Sequence, residues 1–342
     1  MPIKIKNGSI YFLRETDVLT GETGSYIKIG QAEDVGKRID QHQTGNPRKI
    51  TLIDSIEVID MDTVEEHLKR VFAEHRILGE WFLFDDATLK SSIAEGERVS
   101  ALMDESKAFI EQRDLAKKDQ ADLPEREASS EENTLFERRL DAAARLKIAE
   151  AKLKKYKLKL QIGMGSAAGI DEILEITWPT DSRIDTVRIR NEHQDIHERF
   201  LEPKTVKKGA SWKGRPSLEK LDPELSNEIK LLDKEALDVE ELQKGSPAPS
   251  NPALKDLHLK YLKAFKELRE AKLEKELLET QLMAACGSAG GITNILTWTR
   301  EPTTRNQFNE KDFETEHPDL AKECRVFSKP KIEVCRMRSY HH

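Results

Sequence analysis

The chain has 342 residues, 37% of them apolar and 35% charged, and a net charge of −7 at neutral pH. That length admits two or three domains with a core each. So little apolar and so much charged residue, against roughly 25% charged in ordinary soluble domains, argues against one compact globule and for long solvated helices. A net negative chain has no general electrostatic grip on nucleic acid, so any DNA contact must be local.

Cys286, Cys324 and Cys335 are odd in number and lack CxxC spacing. They predict reduced thiols in a cytoplasmic protein, with neither a disulfide framework nor a zinc site. MPIKIKNGSIYFL alternates without a continuous apolar run, so no signal peptide is expected. No stretch approaches the roughly 18 apolar residues of a membrane span, and no membrane partner is expected.

SIYFL (9–13) and SYIKIG (25–30) alternate with period two and predict a strand pair, with Ile10, Phe12, Ile27 and Ile29 on one face. Tyr11, Tyr26 and Lys28 then share the other. In AEDVGKRIDQHQTG, Asp34 caps a short helix and Gly45 ends it, with Val35 and Ile39 toward the sheet and Arg38 and His42, also i, i+4, on a neighbouring face. ITLIDSIEVI predicts a third strand, 62–76 a second helix, and GEWFLF a last short strand. A phenol, a guanidinium, an imidazole and the Glu65 carboxylate are what a one-metal phosphodiesterase needs. Asp62-x-x-Glu65 and Thr63-x-x-Glu66 also resemble capping boxes, which gives either glutamate a purely structural role.

The order of these motifs resembles the GIY-YIG endonuclease domain over about residues 8–86. Ser9–Tyr11 sits at the first signature and Lys28–Gly30 at the second, with lysine where the name-giving tyrosine should be. That departure resembles a phage and bacterial branch reading KIG, R, QTGNP, E and GEWF, with QTGNP present at Gln43–Pro47 and GEWF at Gly79–Phe82. The resemblance implies hydrolysis of a DNA phosphodiester. Tyr11 acts as, or helps form, the general base, with Lys28 as the cation that activates it; Arg38 stabilises the phosphate charge; Glu65 holds a single Mg²⁺ or Mn²⁺. Tyr26 and His42 complete the implied site. Glu65 is preferred to Glu66 by its spacing from Phe72.

Residues 88–119 predict a connecting helix and 120–133 a polar linker. A repeat follows. A long charged helix, a glycine turn, a tryptophan-bearing strand and a short helix occur twice, matching Gly165-Ser166-Ala167 with Gly287-Ser288-Ala289, Trp178 with Trp298, and Glu192-His193 with Glu316-His317. Ala142, Leu146, Ala149, Leu153, Tyr156 and Leu160 make an a/d seam. The second helix carries Leu254, Leu257, Tyr261, Phe265 and Leu268 before its pattern blurs. These helices pair within one chain, which GSPAPSNPA favours as a flexible return, or between protomers or with a partner protein. The second copy resembles the tail of YqaJ-like viral recombination exonucleases, through DFETEHPDL and SKPKIEVCRMR, which implies a positioning or docking module. His193 and His317 fit a capping or packing role better than a metal. Lys207, Lys208, Lys213 and Arg215 around Trp212 form a candidate DNA-binding loop, alternatively a solvated linker.

The expected architecture is α+β: a small three-stranded antiparallel sheet with helices at 1–87, then helix-plus-strand modules at 134–205 and 253–340 separated by a basic loop and linker at 206–252. The leading functional expectation is a metal-dependent DNA endonuclease. A DNA-binding protein on a nuclease scaffold and a coiled-coil interaction scaffold are the competing readings.

Overall fold

The computed structural model describes residues 3–118, 123–178, 182–207, 209–236, 245–300, 302–328, 330–338 and 340. Strands β1 (Gly8–Thr16) and β2 (Thr23–Ala32) pair antiparallel, with Tyr11 opposite Gly30 and Leu13 opposite Lys28. Helix α1 (Val35–Gln43) starts where Asp34 accepts a hydrogen bond from the Lys37 amide at 3.0 Å. Strand β3 (Lys49–Val58) pairs with the other side of β1. Helix α2 (Met61–Val71) is followed by a single 3₁₀ turn at Ala73–His75, then β4 (Arg76–Leu78), β5 (Trp81–Leu83) and the long helix α3 (Asp86–Ala116). The sheet runs β3-β1-β2-β5-β4. The α+β architecture holds, and two short strands widen the expected three-stranded sheet to five. β5 is the anticipated GEWFLF strand, and β4 comes from the end of the predicted second helix.

Period two sorts the sheet faces as the sequence demands. Ile10, Phe12, Ile27, Ile29 and Phe82 pack under Val64 and Leu68 of α2 and Val99 and Met103 of α3. The opposite face buries Tyr11, Leu13 and Ile50 beneath Val35 and Ile39 of α1.

After β6 (Glu125–Arg126) come α4 (Ser130–Met164), β7 (Gly169–Ile170), β8 (Leu174–Thr177), β9 (Ser182–Ile184), α5 (Thr186–Glu192), α6 (Gln194–Arg199), β10 (Leu201–Lys207) and β11 (Ala210–Trp212). Two helices then occupy part of the expected linker, α7 (Leu218–Leu221) and α8 (Pro223–Glu235). Asp222 caps α8 with Pro223 in its first turn, and Leu225 and Ile229 pack on Ala151 and Leu158 of α4. The charge density of this stretch hid a three-to-four apolar spacing. The second copy contributes α9 (Pro252–Cys286), β12 (Gly291–Ile292), β13 (Leu296–Trp298), β14 (Pro302–Phe308), α10 (Glu310–Glu316), α11 (Pro318–Glu323), β15 (Arg325–Phe327) and β16 (Lys331–Val334).

Helices α4 and α9 pack antiparallel within the chain. Their ion pairs descend in opposite order: Arg139–Glu279 at 2.8 Å, Arg145–Glu274 at 2.7 Å and Lys152–Glu267 at 2.6 Å. Both copies turn at a left-handed glycine, Gly165 (φ 62°) and Gly287 (φ 58°). They also exchange strands: β16 pairs with β8, β11 with β13, β10 with β14, and β15 with β9. Each copy therefore completes the sheets of the other. His193 and His317 each end one short helix and start the next, and their amides bond the carbonyls of Ile189 and Phe313 at 2.8 Å each.

The tail is not a separate bead. Leu273 and Leu277 of α9 lie in the same core as the N-terminal sheet. The Arg269 guanidinium donates to the Thr63 carbonyl at 3.0 Å, and Arg113 of α3 joins the Ile3 carbonyl at 2.7 Å to Thr280 at 3.2 Å. The apolar pattern of α9 blurs because α3 and the sheet domain claim faces that α4 does not.

Candidate nuclease site on the N-terminal sheet

Tyr11 is 1% exposed, and its ring lies flat across Gly30 on the neighbouring strand. A Cβ at position 30 would overlap that ring, so the glycine of the KIG run is dictated by the tyrosine. The Tyr11 hydroxyl is 3.1 Å from His42 Nε2 and also faces the Arg38 guanidinium. Both partners come from α1 because Val35 and Ile39 fasten its apolar side to the sheet, which turns the next face toward the phenol. QTGNP fixes the exit of that helix. Gln43 donates to the carbonyls of Asn46 and Arg48 at 3.1 and 2.9 Å and accepts from the Ile50 amide at 2.8 Å, around a left-handed Gly45 (φ 79°). The motif is a splint that holds α1.

Glu65 approaches from α2, which packs on the face of the sheet opposite α1. The true N-cap of α2 is Asp60, which accepts from the Thr63 amide at 3.1 Å. Neither proposed capping box forms, and Glu65 is free for another task. Its carboxylate takes Lys69 Nζ at 2.9 Å and lies 3.5 Å from the Gln31 amide nitrogen. Glu66 turns away to Arg70 at 2.5 Å.

Sequence reasoning assigned no role to Glu80 or Lys69, which link the two halves. Glu80 follows a left-handed Gly79 (φ 54°) and bridges Lys28 at 2.9 Å and Lys69 at 2.7 Å. The i, i+4 spacing of Glu65 and Lys69 was a readable signal; the reach of Glu80 across the sheet edge was not. Lys28 is thus held by Glu80 and sits 5.5 Å from the Trp81 ring centroid, and the cation beside the phenol is Arg38. Tyr26 stands on the same face, 41% exposed.

Burial raises the affinity of Tyr11 for its proton, with Arg38 opposing. Burial, then Lys28 and Arg38, lowers the pKa of His42, so its imidazole is neutral at pH 7. Burial raises the pKa of Glu65, against Lys69. For Glu80 burial also works upward, but the bonds from Lys69 and Lys28 win and hold its pKa at about 2. Among the described residues no three His, Cys, Asp or Glu side chains gather as a metal cage. A magnesium ion held by one carboxylate plus waters and substrate oxygens does not need one. The half-buried Glu65, whose anion its surroundings disfavour, fits that use.

The basic loop is differently employed. Trp212 packs beside Leu282 and Trp298, with the Arg139 guanidinium 4.9 Å from its ring centroid. Lys213 and Arg215 are exposed; Lys208 lies outside the described residues, as does the Lys207 side chain.

Residues 8–96 match the T5orf172 domain, a phage-associated domain related to GIY-YIG and HNH-like nuclease folds. The match takes in the first third of α3, which closes the core over the sheet. No curated protein and no solved structure matches the chain. Among the described residues no helix is long and apolar enough to cross a membrane.

Proposed function

We propose that this protein is a metal-dependent DNA endonuclease of GIY-YIG type, belonging to the phage and bacterial KIG…GEWF branch and working in the cytoplasm. One observation carries the reading: Arg38 and His42 converge on the Tyr11 hydroxyl, and beside them a chain of ion pairs runs from Glu65 through Lys69 and Glu80 to Lys28, whose charge acts on His42.

Arg38, exposed beside the phenol, binds non-bridging phosphate oxygens through paired N–H groups and offsets the charge that develops on them. Tyr11 Oη takes the proton of the attacking water as its own passes to neutral His42 Nε2, which overcomes the phenol's poor basicity at pH 7. The water oxygen bonds to phosphorus and the bond to the leaving sugar oxygen breaks. Lys28 orients Glu80, and Glu80 orients Lys69 against Glu65. Glu65 would hold Mg²⁺ or Mn²⁺, which when bound acidifies water and neutralises the leaving oxygen. Tyr26, two residues from Lys28, flanks the substrate. Residues 1–87 cut, and the modules at 134–205 and 253–340, the second similar to the tail of YqaJ-like exonucleases, position DNA.

Cleavage assayed across supercoiled, branched and single-stranded DNA tests this. Tyr11→Phe and Arg38→Ala are each expected to lower the rate at least 100-fold, on the scale of losing a positioned base or phosphate ligand. Full activity in either variant would refute the assignment.

A further inference from the structure

A second feature adjoins the site. Beyond Glu65 a cleft of about 230 Å³ opens between α2, β4, α9 and the segment after β16, lined by Glu65, Glu66, Lys69, Arg70, Arg76 and Arg336 over the Phe265 ring. Four cations against two carboxylates leave a local excess of two positive charges, in a chain whose net charge is −7. Lys69 and Arg70 are neutralised by Glu65, Glu80 and Glu66. Arg76 spends its Nε on the Gly79 carbonyl at 2.5 Å, and neither it nor Arg336 has an ion-pair partner among the described residues.

Arg336 is held there by construction. On one side the Cys335 amide donates to Ile173 at 2.8 Å, and its carbonyl accepts from His258 Nε2 at 2.8 Å. On the other, the Arg338 amide donates to the Arg76 carbonyl at 2.6 Å. Two guanidiniums near each other and, among the described residues, without ion-pair partners, one of them burdened by burial that Glu80 and Glu65 only partly offset, favour an anion between them.

We infer that this cleft binds a backbone phosphate of the DNA strand whose scissile bond lies at Tyr11 and Glu65, so that the C-terminal module supplies part of the substrate site through Arg336. The inference rests on the nuclease reading and names the substrate contact beside it. It also gives an acidic chain a local phosphate contact where general attraction is lacking.

The test is equilibrium binding of short duplex DNA by the full chain in EDTA, where no cleavage occurs, across a salt series. Arg336 is exposed, so Arg336→Gln and Arg336→Glu should fold normally, as an unchanged melting temperature would verify. Removing one phosphate contact should flatten the log affinity against log salt plot by about one unit, with weaker binding and a further drop for R336E. Wild-type protein that binds and nicks DNA while R336Q and R336E keep the full slope and affinity would overturn this inference alone. Wild-type protein that binds no DNA even at low salt would overturn the nuclease reading with it.

Discussion

The hydrolysis proposed at Tyr11 depends on one proton acceptor being uncharged. His42 is kept neutral by burial and by the neighbouring Lys28 and Arg38, while Glu80 acts the other way. Lys28→Met removes one positive neighbour and leaves Glu80 with Lys69 alone as ion-pair partner, and both changes raise the His42 pKa. The acid limb of the pH–rate profile, and with it the optimum, should move upward, and an unchanged profile would show that His42 takes no proton in the rate-limiting step. The residue types and their order were readable because a tyrosine on a short strand and an arginine–histidine pair at i, i+4 leave a pattern in one dimension. Glu80 stands in the GEWF run, but its bridging role left no such pattern, since its partners Lys28 and Lys69 are 52 and 11 residues away.

At the scale of elements, the strand pair and α1 form a unit set by close approach. Gly30 lets the Tyr11 ring lie on the β2 backbone, so Gly30→Ala must displace the ring or the strand. A loss of about 1–3 kcal/mol in chemical denaturation is expected, together with loss of cleavage; wild-type stability would mean that the ring has room to move. The helix starts at Asp34 and the alternation of β1 and β2 were legible because caps and period two are local. The start of α2 was not: Asp60, 2% exposed and also accepting from the Lys4 amide at 3.0 Å, outcompeted both capping boxes through a contact 56 residues distant. The duplicated tail was visible as a repeat. The exchange of end strands between its copies was not, because strands of two to seven residues carry too little pattern to name their partners.

On the scale of the whole molecule, α9 is both half of the antiparallel pair with α4 and a wall of the N-terminal core. Leu277→Ala should therefore cost about 2–5 kcal/mol and lower one shared unfolding transition, followed by hydrogen exchange in both the sheet and α4. Two independent transitions would show that the sheet domain does not rely on the tail. The clamp behind Arg336 adds a pH dependence. His258 is fully buried, and burial lowers its pKa even though its Nε2 hydrogen bond to the Cys335 carbonyl works upward. The unfolded chain takes up a proton near pH 6.5 that the folded chain refuses. Stability from this group is complete above that value and falls as pH drops from it toward the lowered folded pKa. The melting temperature should decline from about pH 7.5 to about pH 5.5, more shallowly in His258→Gln; equal slopes would assign the decline to other groups.

Nicking of supercoiled plasmid by the purified full chain, with and without divalent metal, bears most directly on the Tyr11–Glu65 site. Nicking should require Mg²⁺ or Mn²⁺ and vanish in Glu65→Gln at an unchanged melting temperature. Absence of nicking by the wild type with either metal, or undiminished nicking by E65Q, would contradict hydrolysis at this site.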